Sequence, residues 1–107
     1  MLQALADQGL LPAGLSPRDA DRIDWTAALA HAVHLYLART PSALLMLQLD
    51  DLADEPHQAN LPGSTTEYPN WRWRTTRELG ELLDDGAIRE ELAAVSAARM
   101  GRPSTIE

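Results

Sequence analysis

His31 and His34 lie three residues apart, a spacing that on one helix could hold one face of a metal ion. No third ligand converges from the same stretch, and His57 belongs to a loop. The pair therefore reads as two histidines at the rim of a buried stripe, and neither a metal nor any other cofactor is expected. Carboxylates are plentiful as the adjacent pairs Asp50-Asp51, Asp54-Glu55, Asp84-Asp85 and Glu90-Glu91. Glycosidic chemistry uses two carboxyl groups facing each other across about 5 to 9 Å. Neighbours on a strand point to opposite faces and neighbours on a helix are turned by about 100°, so adjacency is the wrong geometry. Solvated helix ends and caps account for these acids. No serine, histidine and acid stand in a recognisable nucleophile motif, and no catalytic residue is assigned.

The stretch from Gln58 to Arg74 is different. It reads Gln-Ala-Asn-Leu-Pro-Gly-Ser-Thr-Thr-Glu-Tyr-Pro-Asn-Trp-Arg-Trp-Arg and holds Tyr68, Trp71 and Trp73 together with two proline turns. Such a run can be an irregular loop pinned by aromatic anchors. It can also be a sugar platform: the apolar faces of glucose rings stack on Tyr68, Trp71 or Trp73, while Asn60 and an arginine bond the hydroxyls.

The elements that must carry these residues follow from composition and periodicity. A chain of 107 residues has room for one small domain, and 45% hydrophobic with 23% charged residues is the mix of a soluble packed protein. No apolar stretch is long enough to cross a bilayer and no basic region precedes an apolar run at the N-terminus, so a cytoplasmic location without membrane partners is expected. Sixteen acidic residues against nine basic ones give a net charge of −7, which opposes nucleic-acid binding. The absence of cysteine excludes disulfides, thiolate metal sites and a cysteine nucleophile.

Leu2, Leu5 and Ala6 share a helical face over residues 2–8, stopped by Gly9. Ser16, Pro17 and Asp19 cap a short turn reaching Arg22. Asp24 is placed to cap a helix over 25–39, in which Trp25, Leu29, Val33 and Tyr36 form the apolar stripe until Thr40 and Pro41. Residues 43–49, Ala-Leu-Leu-Met-Leu-Gln-Leu, have the length of a strand buried on both faces, yet none is β-branched and Thr40-Pro41 would start a helix well. Residues 50–74 form a loop, broken by Pro56, Pro62 and Gly63. Thr75 and Glu78 suggest a capping box for a helix over 76–84 followed by Gly86. A last helix over 87–100 carries Ile88, Leu92 and Val95 and ends at Gly101 and Pro103. The fold class is mainly α: 1–39 helical, 43–49 ambivalent, 50–74 a loop, 75–101 helical.

Gln58-Ala59-Asn60-Leu61-Pro62-Gly63-Ser64, followed by Glu67-Tyr68-Pro69-Asn70-Trp71-Arg72, resembles the signature near the C-terminus of 4-α-glucanotransferases, the amylomaltase or disproportionating-enzyme family. The resemblance extends through Tyr36-Leu37-Ala38-Arg39-Thr40-Pro41 and through Leu45 to Leu52, and covers nearly the whole chain. It implies the C-terminal portion of a (β/α)₈ barrel enzyme that transfers α-1,4-glucan segments between malto-oligosaccharides by retaining double displacement. By that comparison 25–39 is a late barrel helix and 43–49 the last barrel strand, which puts Gln48 and Asp50 at its C-terminal end, where barrels place ligand groups.

Asn60 matches an asparagine beside the donor sugar, and Pro62-Gly63 match the turn presenting it. Trp71 and Arg72 match the residues closing the signature; Trp71 is counted with the substrate-binding set, though its role and that of Arg72 are expected to be mainly structural. Ser64 stands where threonine is usual, and Trp73 where many members have arginine. The family's catalytic carboxylates belong to strands upstream of Met1, so the expectation is a chain inactive alone, with 43–49 rewound as helix and self-association through leftover apolar surface. A free-standing, non-enzymatic helical binding or interaction module is the other reading.

Overall fold

Residues 1–101 are described by a computed structural model of the chain, and among them every regular element is helical, with no strand. Two compact units are present, one formed by Met1–Met46 with the described residues from Glu90 on, the other by Leu47–Arg89.

In the first unit, α1 (Leu2–Asp7) buries Leu2 and Leu5. It closes as expected at Gly9, which takes a left-handed φ of +66°. Gly9 N donates to Ala6 O and Leu10 N to Leu5 O, the bond pair of a Schellman cap, and Leu10 folds back onto the core. A single 3₁₀ turn, Pro17–Asp19, carries the anticipated capping box between Ser16 and Asp19. The next helix, α2, spans Ala27–Ala38 and is capped by Thr26, whose hydroxyl accepts from Leu29 N at 3.2 Å. Asp24 is thus not the cap, and Trp25, lying before the cap, is 61% exposed and outside the stripe. Leu2, Leu5, Leu29 and Ala32 make the core, with Leu10, Leu11, Ile23, Val33 and Tyr36 packed on it.

Residues 43–48 are neither strand nor helix, which overturns the expected rewinding. Leu44 and Met46 are 83% and 89% exposed. A helix over so few residues, apolar on every side, gains little propagation and finds no core to bury against. Helix begins only at α3 (Leu49–Leu52), after Gln48 in extended backbone, with Asp50 and Asp51 in its first turn where the helix dipole favours them.

The second unit packs Leu52 against buried Ala53, Leu82 and Ile88. Here α4 (Leu79–Asp84) starts later than expected, because Glu78 and Glu81 form the capping box; the Thr75 hydroxyl instead donates to Arg77 O. Gly86 does not end α4 but opens α5 (Gly86–Met100). Pro103, expected beyond that helix, lies outside the described residues. Asp85 makes the joint: one carboxylate oxygen accepts from Ala87 N at 2.8 Å and Ile88 N at 3.2 Å, the other from Arg77 Nη2 at 2.8 Å.

Arg77 foremost, then these backbone donors, hold the Asp85 carboxyl below its ordinary value of 3.8. Thr76, through its backbone N–H and hydroxyl, holds Glu55 below 4.5 in the same way. A depressed carboxylate stabilises the folded state above its unfolded value and loses that contribution as pH falls through its folded one. Melting temperature is therefore expected to decline as pH drops below the ordinary carboxylate range, and Asp85→Asn to flatten the decline; superimposable pH profiles would contradict the assignment.

Candidate functional site

The turn at Leu61-Pro62-Gly63-Ser64 organises the signature loop. Ser64 N donates to Leu61 O at 3.2 Å, and Gly63 stands at φ +83°, the pattern of a type II turn with proline before a residue needing positive φ. Asn70 braces the turn from across the loop. Its Oδ1 accepts from Leu61 N at 2.7 Å, while its Nδ2 donates to Ser64 Oγ at 2.9 Å and Thr65 O at 3.3 Å. The ends are tied where Trp71 N donates to Ala59 O at 2.7 Å, and the Tyr68 hydroxyl donates to Gln58 O. Glu67 accepts from both Thr65 N and the Thr65 hydroxyl, and its backbone surroundings with those bonds draw its carboxyl below the ordinary value.

The expected site residues divide between this loop and α3. Asn60, half-buried, sits next to the Ala59–Trp71 tie, and its side chain makes no hydrogen bond among the described residues. Pro62 and Gly63 are exposed at the turn. The Trp71 ring is 77% exposed in this chain, and its backbone is held at φ +60°. Gln48 and Asp50 do not crown a strand. Gln48 is the exposed residue before α3 and makes no side-chain cap. Asp50 lines a cleft with Glu55, His57, Ala59, Trp73, Arg74 and Thr75. At about 80 Å³ this cleft is well below the roughly 300–1,000 Å³ that encloses a small-molecule ligand. Trp73 forms its aromatic side: the His57 ring stacks on it at 4.0 Å and 8°, and Tyr68 lies tilted at 6.0 Å.

Two features of the structure go beyond the sequence reading. Asn70 is the hub of the loop: Pro-Asn is a turn signal, and an asparagine amide offers both donor and acceptor to local backbone. The His31–His34 pair has a partner from α5. Each Nδ1 meets one oxygen of Glu91, His34 at 2.8 Å and His31 closer. His34 is buried in α2 and not at a rim. Glu91 fills the position on which the two rings converge, and among the described residues no set of three histidine, aspartate or glutamate side chains is arranged to hold a metal ion. No helix among them is long and apolar enough to cross a membrane.

Comparison with known proteins bears on this loop directly. A family described as 4-alpha-glucanotransferase matches residues 2–79. The chain is 39% identical over 99 residues to the 4-alpha-glucanotransferases of Mycobacterium tuberculosis and Mycobacterium bovis, covering 91% of this chain and 12% of theirs. It is 30% identical over 71 residues to that of Haemophilus influenzae, covering 66% of this chain and 10% of that protein. The chain thus spans about a tenth of the length of these relatives. No solved structure matches it significantly.

Proposed function

The chain belongs to the 4-alpha-glucanotransferase family, and from that premise we propose that it supplies the C-terminal, sugar-contacting segment of an enzyme transferring α-1,4-glucan between malto-oligosaccharides. In that enzyme the remainder is a (β/α)₈ barrel, and residues 43–49 are its last strand. The exposure of Leu44 and Met46 agrees with a segment whose neighbours lie elsewhere in the polypeptide. The loop over 58–74 contributes donor-side contacts through Asn60, the Pro62-Gly63 turn and Trp71, with Gln48 and Asp50 near the end of the strand. The chain alone is inactive.

One observation carries this reading. The turn is braced by Asn70, so Asn60, ten residues earlier, is left with an amide that nothing in the loop's own hydrogen bonding uses. An amide positioned by a rigid turn and free of internal partners can bond a sugar hydroxyl without first breaking a protein contact.

The test places this chain in the context of a whole enzyme, by exchanging it for the matching segment of the mycobacterial relative. The chimera is expected to disproportionate maltotriose, and Asn60→Ala within it to lower kcat about tenfold, the size of one lost hydrogen bond of roughly 1.4 kcal/mol, with melting temperature unchanged. Equal kcat for the chimera and its Asn60→Ala variant would refute the donor-side role.

A further inference from the structure

Resting on the proposed function, we infer that Arg99 is a positioning residue for the apolar segment 43–49: it holds the first residue of that segment on α5 and so sets the register in which Gln48 and Asp50 arrive at the segment's far end. Arg99 Nη2 donates to Ala43 O at 3.0 Å, a contact between residues 56 apart in sequence. Arg99 Nη1 is shielded from solvent and has no hydrogen-bond partner among the described residues. A cation in the last turn of α5 suits the helix dipole, but the dipole alone would leave the guanidinium in water. This one is turned into the unit and bonded to another element.

The support behind it is firm. About two turns earlier on α5, Glu91 meets His31 and His34 of α2, and Val95 between Glu91 and Arg99 is buried. All of these residues and Ala43 belong to the first unit. Residues 43–48, by contrast, have neither helix nor strand to hold them, so the bond from Arg99 fixes the point from which they depart. The grip falls on the first residue only and leaves the backbone groups of Leu44 to Leu49 for pairing with strands of the whole enzyme. Arginine suits this task better than lysine, because its planar fork lets one nitrogen hold Ala43 O while the other takes a second acceptor. A shielded N–H left unpaired is costly, and a chain about a tenth as long as its relatives lacks most of their acceptors; the rest of the enzyme supplies the oxygen that completes the fork. Register matters here because a slip of one residue moves a strand by about 3.3 Å and turns every side chain to the opposite face.

The test uses the chimera with the mycobacterial relative. Per folded enzyme, Arg99→Ala is expected to lower kcat on maltotriose about tenfold and Arg99→Lys less, since an ammonium can keep the bond to Ala43 O but cannot complete the fork. Guanidinium ion at a non-denaturing concentration should restore part of the turnover of Arg99→Ala by filling the vacated position. A variant that was merely destabilised would only lose activity in a denaturant. Arg89→Ala, which removes a guanidinium bond to Leu83 O in the second unit, should leave kcat unchanged and gain nothing from the ion. In the 107-residue chain itself, the Ala43 carbonyl ¹³C signal should move in Arg99→Ala. An unmoved Ala43 signal, a kcat for Arg99→Ala equal to that of the parent chimera, or no recovery with guanidinium overturns the inference. If Asn60→Ala lowers turnover while Arg99→Ala does not, the donor-side reading stands and only the positioning role falls. A chimera without turnover overturns the proposed function, and the positioning role with it.

Discussion

Incubated with maltotriose, the isolated chain should release no glucose above the rate without protein. Retaining transfer needs two carboxyl groups about 5 to 5.5 Å apart across the scissile bond, one ionised as nucleophile and the other protonated as acid. Several of the acids here are occupied otherwise. Asp85 caps α5 and pairs with Arg77, and Asp84 pairs with Arg89 at 3.2 Å. Glu91 is enclosed by His31 and His34. Asp50 and Glu55 line the same cleft. Glu55, however, is fixed to Thr76, and those bonds push its carboxyl down, whereas an acid catalyst at neutral pH needs its carboxyl pushed up. Enzymes gain at least about a millionfold over the uncatalysed rate, so even a weak residual activity would be measurable. Disproportionation that disappears in Asp50→Asn or Glu55→Gln would disprove this account and place catalysis within the chain itself.

How far the sequence could be read depended on whether a segment's partners were local. Caps are local, and the Gly9 stop and the Ser16–Asp19 box stand as the residue types require. So does the turn at Pro62-Gly63, where proline and glycine each suit one backbone position. Local rules also compete. Glu78 and Glu81 formed the box that Thr75 and Glu78 could have made, because both pairs stand three apart and composition does not rank them. Segment 43–49 was ambivalent for a non-local reason: helix propensity and apolar length give opposite answers, and neither acts without a surface to pack on. Glu91 lies 57 residues from His34, and nothing in their spacing announces the contact. The exposure of Trp71 was likewise hidden, since an aromatic within a motif is read as an anchor until its backbone conformation is known. Motif identity located the loop; Asn70, which holds it, became visible only through its bonds.

Leu5→Ala should be the most damaging single substitution in the first unit. Leu5 is fully buried, and it occupies the position in α1 whose carbonyl receives the Leu10 N–H of the Schellman cap. Its side chain lies with buried Leu2, Leu29 and Ala32 at the centre of a cluster onto which Leu10, Leu11, Ile23, Val33 and Tyr36 pack. Truncating a buried leucine removes its transfer free energy and leaves a cavity, together about 2 to 5 kcal/mol, with the upper part of the range where collapse is restricted. Domains of this size have about 5 to 15 kcal/mol in total, so the loss is a large fraction of what holds α1 and α2 together. The urea midpoint should fall sharply with little change in slope, because the surface exposed on unfolding is nearly the same. Leu44→Ala removes an equal volume from a side chain that is 83% exposed and should leave the midpoint where it was. A loss below about 1 kcal/mol for Leu5→Ala would mean that this cluster does not govern the unit. An equal loss for Leu44→Ala would mean that residues 43–48 are packed in solution.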